Sequence, residues 1–179
     1  MKNRTSILLI LILFVLLYFL FKPDRSYPKI LNLILYSETT PEYIEMYKLL
    51  SVYLKKQNKI KYYFYAYNPN INDEYIIKDD IIYIKGEESL VPGCLDKTLK
   101  AFEICKDLDF DYIIRTNISE VVDFNLLNEL LKNNKIEYGG ATTLNLFWFD
   151  HPSGINDTRY FGTNFVRGTC IIFNREIFD

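Results

Sequence analysis

Residues 111–124 read DYIIRTNISEVVDF, and no other stretch constrains the architecture as much. Tyr112-Ile113-Ile114 is too short and too β-branched for a helix and suits a buried strand. Arg115, Thr116, Asn117 and Ser119 follow within five positions, before helical spacing resumes from Phe124 to Leu131. A buried strand running into polar groups and then a helix is the βα step of an open α/β sheet, in which ligands gather outside the carboxyl ends of the strands.

The rest of the chain repeats that alternation. Residues 30–36 form a near-continuous apolar strand, and residues 41–56 place Tyr43, Met46, Tyr47, Leu50, Val52 and Leu54 at mostly helical spacing, with Thr40 as N-cap and Pro41 in the first turn. Strands are predicted at 60–67 and 81–85. Within residues 90–106, Pro92-Gly93 breaks the chain ahead of a helix whose apolar face carries Leu95, Leu99, Phe102, Ile104 and Cys105. Asp123 caps a further helix to about Asn133, residues 138–142 and 170–173 read as strands, and residues 143–168 keep no clean period. The predicted fold is α/β: a mostly parallel central sheet with helices on both faces. The 179 residues suffice for one core.

Ahead of that domain, residues 7–21 are an unbroken run of 15 apolar or aromatic residues, extended to 17 by Thr5 and Ser6, at the lower edge of a bilayer span. The sequence that follows, Lys22-Pro23-Asp24-Arg25, lacks the small residues of a cleavage site, which favours an uncleaved anchor over a signal peptide. The predicted organisation is therefore a cytoplasmic tip and transmembrane anchor over 1–21, a stem over 22–29 and a domain over 30–179. Lys2, Arg4 and the amino terminus outweigh the charges after the run, which predicts a single-pass type II protein with a lumenal domain. So short a span suits the thin bilayer of the endoplasmic reticulum or Golgi.

With Lys2 and Arg4 set aside, 19 basic residues face 23 acidic ones, so nucleic acid is not an expected partner. Cys94, Cys105 and Cys170 are odd in number and form no C-x-x-C, and His151 is the sole histidine, a pattern that gives no structural zinc site. One disulfide is compatible with an oxidising lumen. A bridge between Cys94 and Cys105 within one straight helix is excluded, since 11 residues span roughly 16 Å.

Taken together, VPGCLDKTLKAFEIC, DYIIRTNISEVVDF, YGG and FVRGTCIIFNREIFD resemble nucleotide-sugar glycosyltransferases of the GT-A fold. Closest in pattern are beta-1,3-galactosyltransferase-like enzymes and divergent, often virus-encoded proteins with an R-T-N-x-S motif. The resemblance implies a membrane-anchored enzyme that moves a sugar from a nucleotide diphosphate donor to a glycan or glycoprotein hydroxyl. The alternative is a catalytically inactive glycan- or nucleotide-binding module on the same fold.

Carried over residue by residue, the family's Lys-Thr-Asp-Asp-Asp, which ligates Mn²⁺ on the donor diphosphate, falls on Arg115-Thr116-Asn117-Ile118-Ser119. Asn117 and Ser119 thus stand at the metal position without carboxylates, and Mn²⁺ or Mg²⁺ prefers charged oxygen ligands. One lost charge at contact distance forfeits on the order of 4 kcal/mol at an effective dielectric near 20. Arg115, Lys97, Lys100, Arg159 or Arg167 can neutralise phosphate instead. Asp109-Phe110-Asp111 spells D-x-D but precedes the strand, at the edge opposite the ligand crevice. The implied donor-binding set is Lys97, Arg115, Thr116, Asn117 and Ser119, although Lys97 also reads as an ordinary helix-surface lysine.

Arg167 and Gly168 match the segment before a strand under the acceptor, and Trp148 lies in an aromatic-rich stretch suited equally to stacking on sugar rings or to filling core. Gly139-Gly140 fits a close backbone approach or a plain turn. Asn156-Asp157-Thr158 is a glycosylation sequon, and Asn117-Ile118-Ser119 is a second one if it is accessible. Inverting transfer needs a base, which the family places beyond the point corresponding to Asp179. Asp150, His151 and Asp157 are the candidates within the sequence.

Overall fold

A computed structural model describes residues 26–151 and 154–177, so the expected anchor and half of the stem, residues 22–25, lie outside the described residues. Among the described residues nine strands and three α-helices follow in the order β1 (Ile30–Leu35), α1 (Pro41–Leu54), β2 (Ile60–Tyr67), β3 (Tyr75–Lys78), β4 (Ile81–Ile84), α2 (Gly93–Cys105), β5 (Tyr112–Asn117), α3 (Phe124–Asn133), β6 (Tyr138–Gly140), β7 (Thr143–Asn145), β8 (Asn164–Val166) and β9 (Cys170–Asn174). Seven strands make one sheet in the order β3-β4-β2-β1-β5-β9-β6, and β7 with β8 forms a separate hairpin. The inner strands β4, β2, β1 and β5 are parallel, while β3 and β9 run against them.

Local chemistry explains the elements. Thr40 caps α1 by accepting from the Tyr43 N–H, and Asp123 caps α3 by accepting from Asn125 and Leu126, each at the expected position. β3, which the sequence reading lacks, is an edge strand closed on β4 by the two-residue turn Asp79-Asp80, with Asp79 left-handed at φ 57°. Residues 143–168, expected as an aperiodic loop, contain the β7/β8 hairpin, whose three-residue strands are too short to show alternation.

Two cores sandwich the sheet. On one face Leu50 and Leu54 of α1 and Phe124 and Leu131 of α3 meet Ile34, Phe64 and Ile114. On the other, Ala101 and Cys105 of α2 meet Leu33, Tyr65, Ile82 and Ile113. α2 keeps part of its expected apolar face, since Cys105 is buried and Phe102 and Ile104 pack against the core, and departs from it in the first turns. Leu95 and Leu99 are 64% and 55% exposed, whereas Lys97, Thr98, Ala101 and Cys105 turn to the sheet. The small side chains let helix and sheet approach closely, and the buried lysine is compensated by an ion pair described below.

Two features locate the functional edge. Strand order reverses between β1 and β5, because α1 carries the chain to one side of β1 and α2 returns it to the other. That reversal opens a crevice above the carboxyl ends of β1 and β5. Asp109 and Asp111 lie at the opposite edge, where Asp109 pairs with Lys29 at 2.6 Å and Asp111 accepts from the Lys29 N–H at 2.7 Å.

All three cysteines are free thiols. Burial pushes Cys105 up to about 11 and raises Cys170, while Cys94 is half-buried on the crevice wall. The thiolate is the reactive form, so a raised pKa removes it at neutral pH. Native protein at mildly alkaline pH is expected to take up a single iodoacetamide, at Cys94, and three after denaturation. Mass spectrometry of the alkylated peptides checks this.

Candidate functional site

The crevice at the switch point is a cleft of about 970 Å³. Its floor is the ends of β1 and β5 with β9, one wall is α2, and the Arg167-Gly168-Thr169 turn closes a rim. Arg115, Asn117 and Ser119 line it, as do Lys97 from α2 and Arg167 and Gly168 from the turn. Thr116 does not. Strand alternation sends its side chain to the other face, where its hydroxyl donates to Asn32 Oδ1 at 3.2 Å in the core.

Arg115 is only 8% exposed, and among the described residues no carboxylate forms an ion pair with it. Its Nε donates to the Tyr65 hydroxyl at 3.3 Å, and its Nη1 donates to Asn117 Oδ1 at 2.7 Å and to the Gly168 carbonyl. The Tyr65 hydroxyl bonds Thr98 Oγ1 at 2.8 Å, and Thr98 donates onward to the Cys94 carbonyl at 2.7 Å. Tyr65 is therefore the donor in its bond to Thr98 and the acceptor from Arg115. Burial raises the Tyr65 phenol above its ordinary range, opposed by the Arg115 charge, so it stays a neutral hydroxyl. This relay orients the guanidinium, and among the described residues the two Nη2 protons have no protein acceptor. Arg167, exposed on the rim, likewise has no carboxylate partner among the described residues.

Lys97 is spent differently. At 1% exposure it donates to the Tyr36 carbonyl at 2.7 Å and to Glu88 Oε1 and Oε2 at 2.8 and 2.6 Å, which accounts for all three ammonium protons. Glu88 also accepts from the Tyr67 N–H at 2.9 Å, so the pair ties the ends of β1 and β2 to α2. The sequence reading missed Glu88 and Tyr65. The available signal was Lys97 itself: its spacing to Ala101 and Cys105 puts it on a buried stripe, and a buried lysine requires an acidic partner.

The remaining candidates lie away from the cleft. His151 Nδ1 bonds Asn156 Oδ1 at 2.7 Å, Asp157 pairs with Arg159 at 2.7 Å, and Asp150 bridges backbone to backbone with Ile155. None of the three lines the cleft. Trp148, half-exposed, packs edge-on against Phe165 at 5.9 Å in the β7/β8 hairpin and is not a lining residue either. Lys100 pairs with Asp96 at 2.9 Å. Gly140 serves close packing: a Cβ there would collide with Val166 and the Cys170 carbonyl. The Asn117 sequon is engaged by Arg115, whereas Asn156 is exposed.

The residues at the expected metal position do not fit a divalent cation. Asn117 offers one oxygen, already accepting from a guanidinium 2.7 Å away, and Glu88, the one carboxylate among the described lining residues, is bound to Lys97. A cation there would face Arg115 at close range. Among the described residues no group of three or more His, Cys, Asp or Glu side chains is placed to hold a metal. The donors in the cleft are of the kind that suits an anion: a planar guanidinium held at a strand end, a second one on the rim, and Asn117 and Ser119 in the same lining. No family model matches this sequence, and no curated protein matches it.

Proposed function

We propose that the chain is a glycosyltransferase-type domain whose cleft binds the diphosphate of a nucleotide sugar through Arg115 and Arg167, for transfer to a glycan or glycoprotein hydroxyl. One observation carries this reading: a guanidinium that is almost fully buried, lines a switch-point cleft, and has neither a carboxylate partner nor an Nη2 acceptor among the described residues. Leaving such a charge uncompensated is costly, and a diphosphate supplies the missing counter-charge. In group transfer the same two guanidiniums would stabilise charge developing on the departing diphosphate, the task the resembling enzymes give to a metal.

A second reading, a non-catalytic nucleotide- or glycan-binding module, is favoured by a different observation. Asp150, His151 and Asp157 are outside the cleft and Glu88 is tied up, so no carboxylate among the described lining residues is free to take a proton from an acceptor.

Thermal melts with a panel of nucleoside diphosphates test the first reading. A cognate diphosphate at 100 times its Kd is expected to stabilise the fold by about 2.7 kcal/mol, and chelator should not remove the effect. A melt that no diphosphate shifts sinks the proposal. Stabilisation without sugar hydrolysis or transfer above background selects the binding module.

A further inference from the structure

β3 ends the sheet on one side, and among the described residues no strand pairs with its outer edge. Its backbone is committed in alternation. The two-residue turn at Asp79-Asp80 makes Lys78 and Ile81 a hydrogen-bonded pair, and at the other end Glu74 accepts from the Lys85 N–H at 2.9 Å. Glu74, Ile76 and Lys78 therefore turn their N–H and C=O groups toward β4, while Tyr75 and Ile77 turn theirs outward.

The side chains alternate as well. Opposite Ile84 and Ile82, Tyr75 and Ile77 stand on the α2 face, 44% and 49% exposed. Glu74, Ile76 and Lys78 stand on the face of α1 and α3, opposite Lys85, Tyr83 and Ile81. Glu74 and Lys78 are exposed, and neither forms an ion pair among the described residues. Four positions apart along a strand, they are separated by roughly 13 Å, too far to pair within one chain. An open apolar edge of this kind is a ready template for another strand.

We propose that β3 pairs antiparallel with β3 of a second copy of this chain, about a two-fold axis beside Ile76. The pairing is independent of what the cleft binds. Self-complementarity selects both the occupant and the register. Tyr75 comes opposite the partner's Ile77, so the outward backbone groups of both are satisfied and an aromatic ring meets a β-branched side chain. Ile76 meets its own copy. Glu74 comes opposite the partner's Lys78, and symmetry repeats the pair, so each charge gains the counter-ion it lacks within one chain. Sliding one copy by two residues puts Tyr75 opposite the partner's Asp79, or Asp73 opposite the partner's Ile77, and either slip separates the charges. The clefts, beside β1 and three strands from β3, stay open. Tyr27 packs against Glu129 and Lys132 of α3 in each copy, so both amino-terminal connections leave on one face and tethering them to one surface does not oppose pairing.

Disulfide scanning of the full chain in mild detergent, in a Cys94→Ser background, tests this. Residues opposed without shared hydrogen bonds lie about 4.5 Å apart, within reach of a disulfide. Ile76→Cys should therefore link to its own copy under mild oxidation several-fold faster than Leu126→Cys, an exposed site on α3. Glu74→Cys and Lys78→Cys should not self-link but should link to each other when mixed. Equal rates for Ile76→Cys and Leu126→Cys overturn the proposal, and so does self-linking of Glu74→Cys or Lys78→Cys. Ile77→Pro removes an outward N–H and spares the β4 ladder, so it should melt near wild type and sediment as a monomer. A dimer that survives this change is held by another surface, and a wild-type chain that stays monomeric leaves the edge to solvent or to another protein's strand. Either result overturns the pairing. Charge exchange gives a check without proline: Glu74→Lys and Lys78→Glu should each self-associate about tenfold more weakly, and their equimolar mixture should recover wild-type association. A mixture no better than its components counts against the pairing as decisively.

Discussion

Arg115→Gln is expected to weaken nucleoside diphosphate binding on the order of 100-fold while changing the melting temperature of the unliganded protein little. The affinity loss follows from removing two charge-assisted hydrogen bonds to phosphate, together about 3 kcal/mol. The small stability effect reflects two opposed changes. Glutamine gives up bonds to Tyr65, Asn117 and the Gly168 carbonyl, but it also removes a charge that is 8% exposed and has no counter-ion among the described residues. Arg115→Lys keeps the charge but not the planar fork, so it should recover only part of the affinity. Calorimetric Kd values alongside melts of the same variants decide the matter. A variant that melts far below wild type yet binds diphosphate normally would show that Arg115 is a packing residue.

How much of this was legible in the sequence depends on the signal each part left. The βα alternation and both capped helices were readable because buried parallel strands are continuous apolar runs and caps have a side-chain signature. β3 and the β7/β8 hairpin were not, being three or four residues long and stabilised by pairing that sequence spacing does not record. At the site, Arg115, Asn117 and Ser119 at the polar exit of β5 line the cleft, but treating its residues as one set hid a rule available without coordinates. Alternation places Arg115 and Asn117 on one face and Thr116 on the other. α2 misled for a related reason. Leu95, Leu99 and Phe102 look like a core stripe, yet they form the cleft wall. The buried stripe joins Cys105, which the expected face included, to Lys97, Thr98 and Ala101, which hydrophobicity alone ranks low. The role of Glu88 depends on a loop folding back across nine residues of sequence to reach Lys97, which no local pattern encodes.

The largest loss of stability is expected from Lys97→Met, about 3–5 kcal/mol, or a melting temperature about 10 °C lower. Methionine fills much of the space but leaves the Glu88 carboxylate without its counter-ion and the Tyr36 carbonyl without its donor. Glu88→Gln should be comparably damaging, because it leaves an ammonium group at 1% exposure facing a neutral amide. Removing both charges at once, in Lys97→Met with Glu88→Leu, should cost less than the sum of the two single changes, since neither charge is then left unpaired. Binding separates this structural role from the phosphate-binding role that the family resemblance implies for Lys97. With all three ammonium protons committed to Tyr36 and Glu88, Lys97 has none to offer a diphosphate, so the variant, measured below its melting temperature, should bind within tenfold of wild type. If Lys97→Met instead melts normally and loses as much affinity as Arg115→Gln, Lys97 is a phosphate ligand and Glu88 only its partner in the empty cleft.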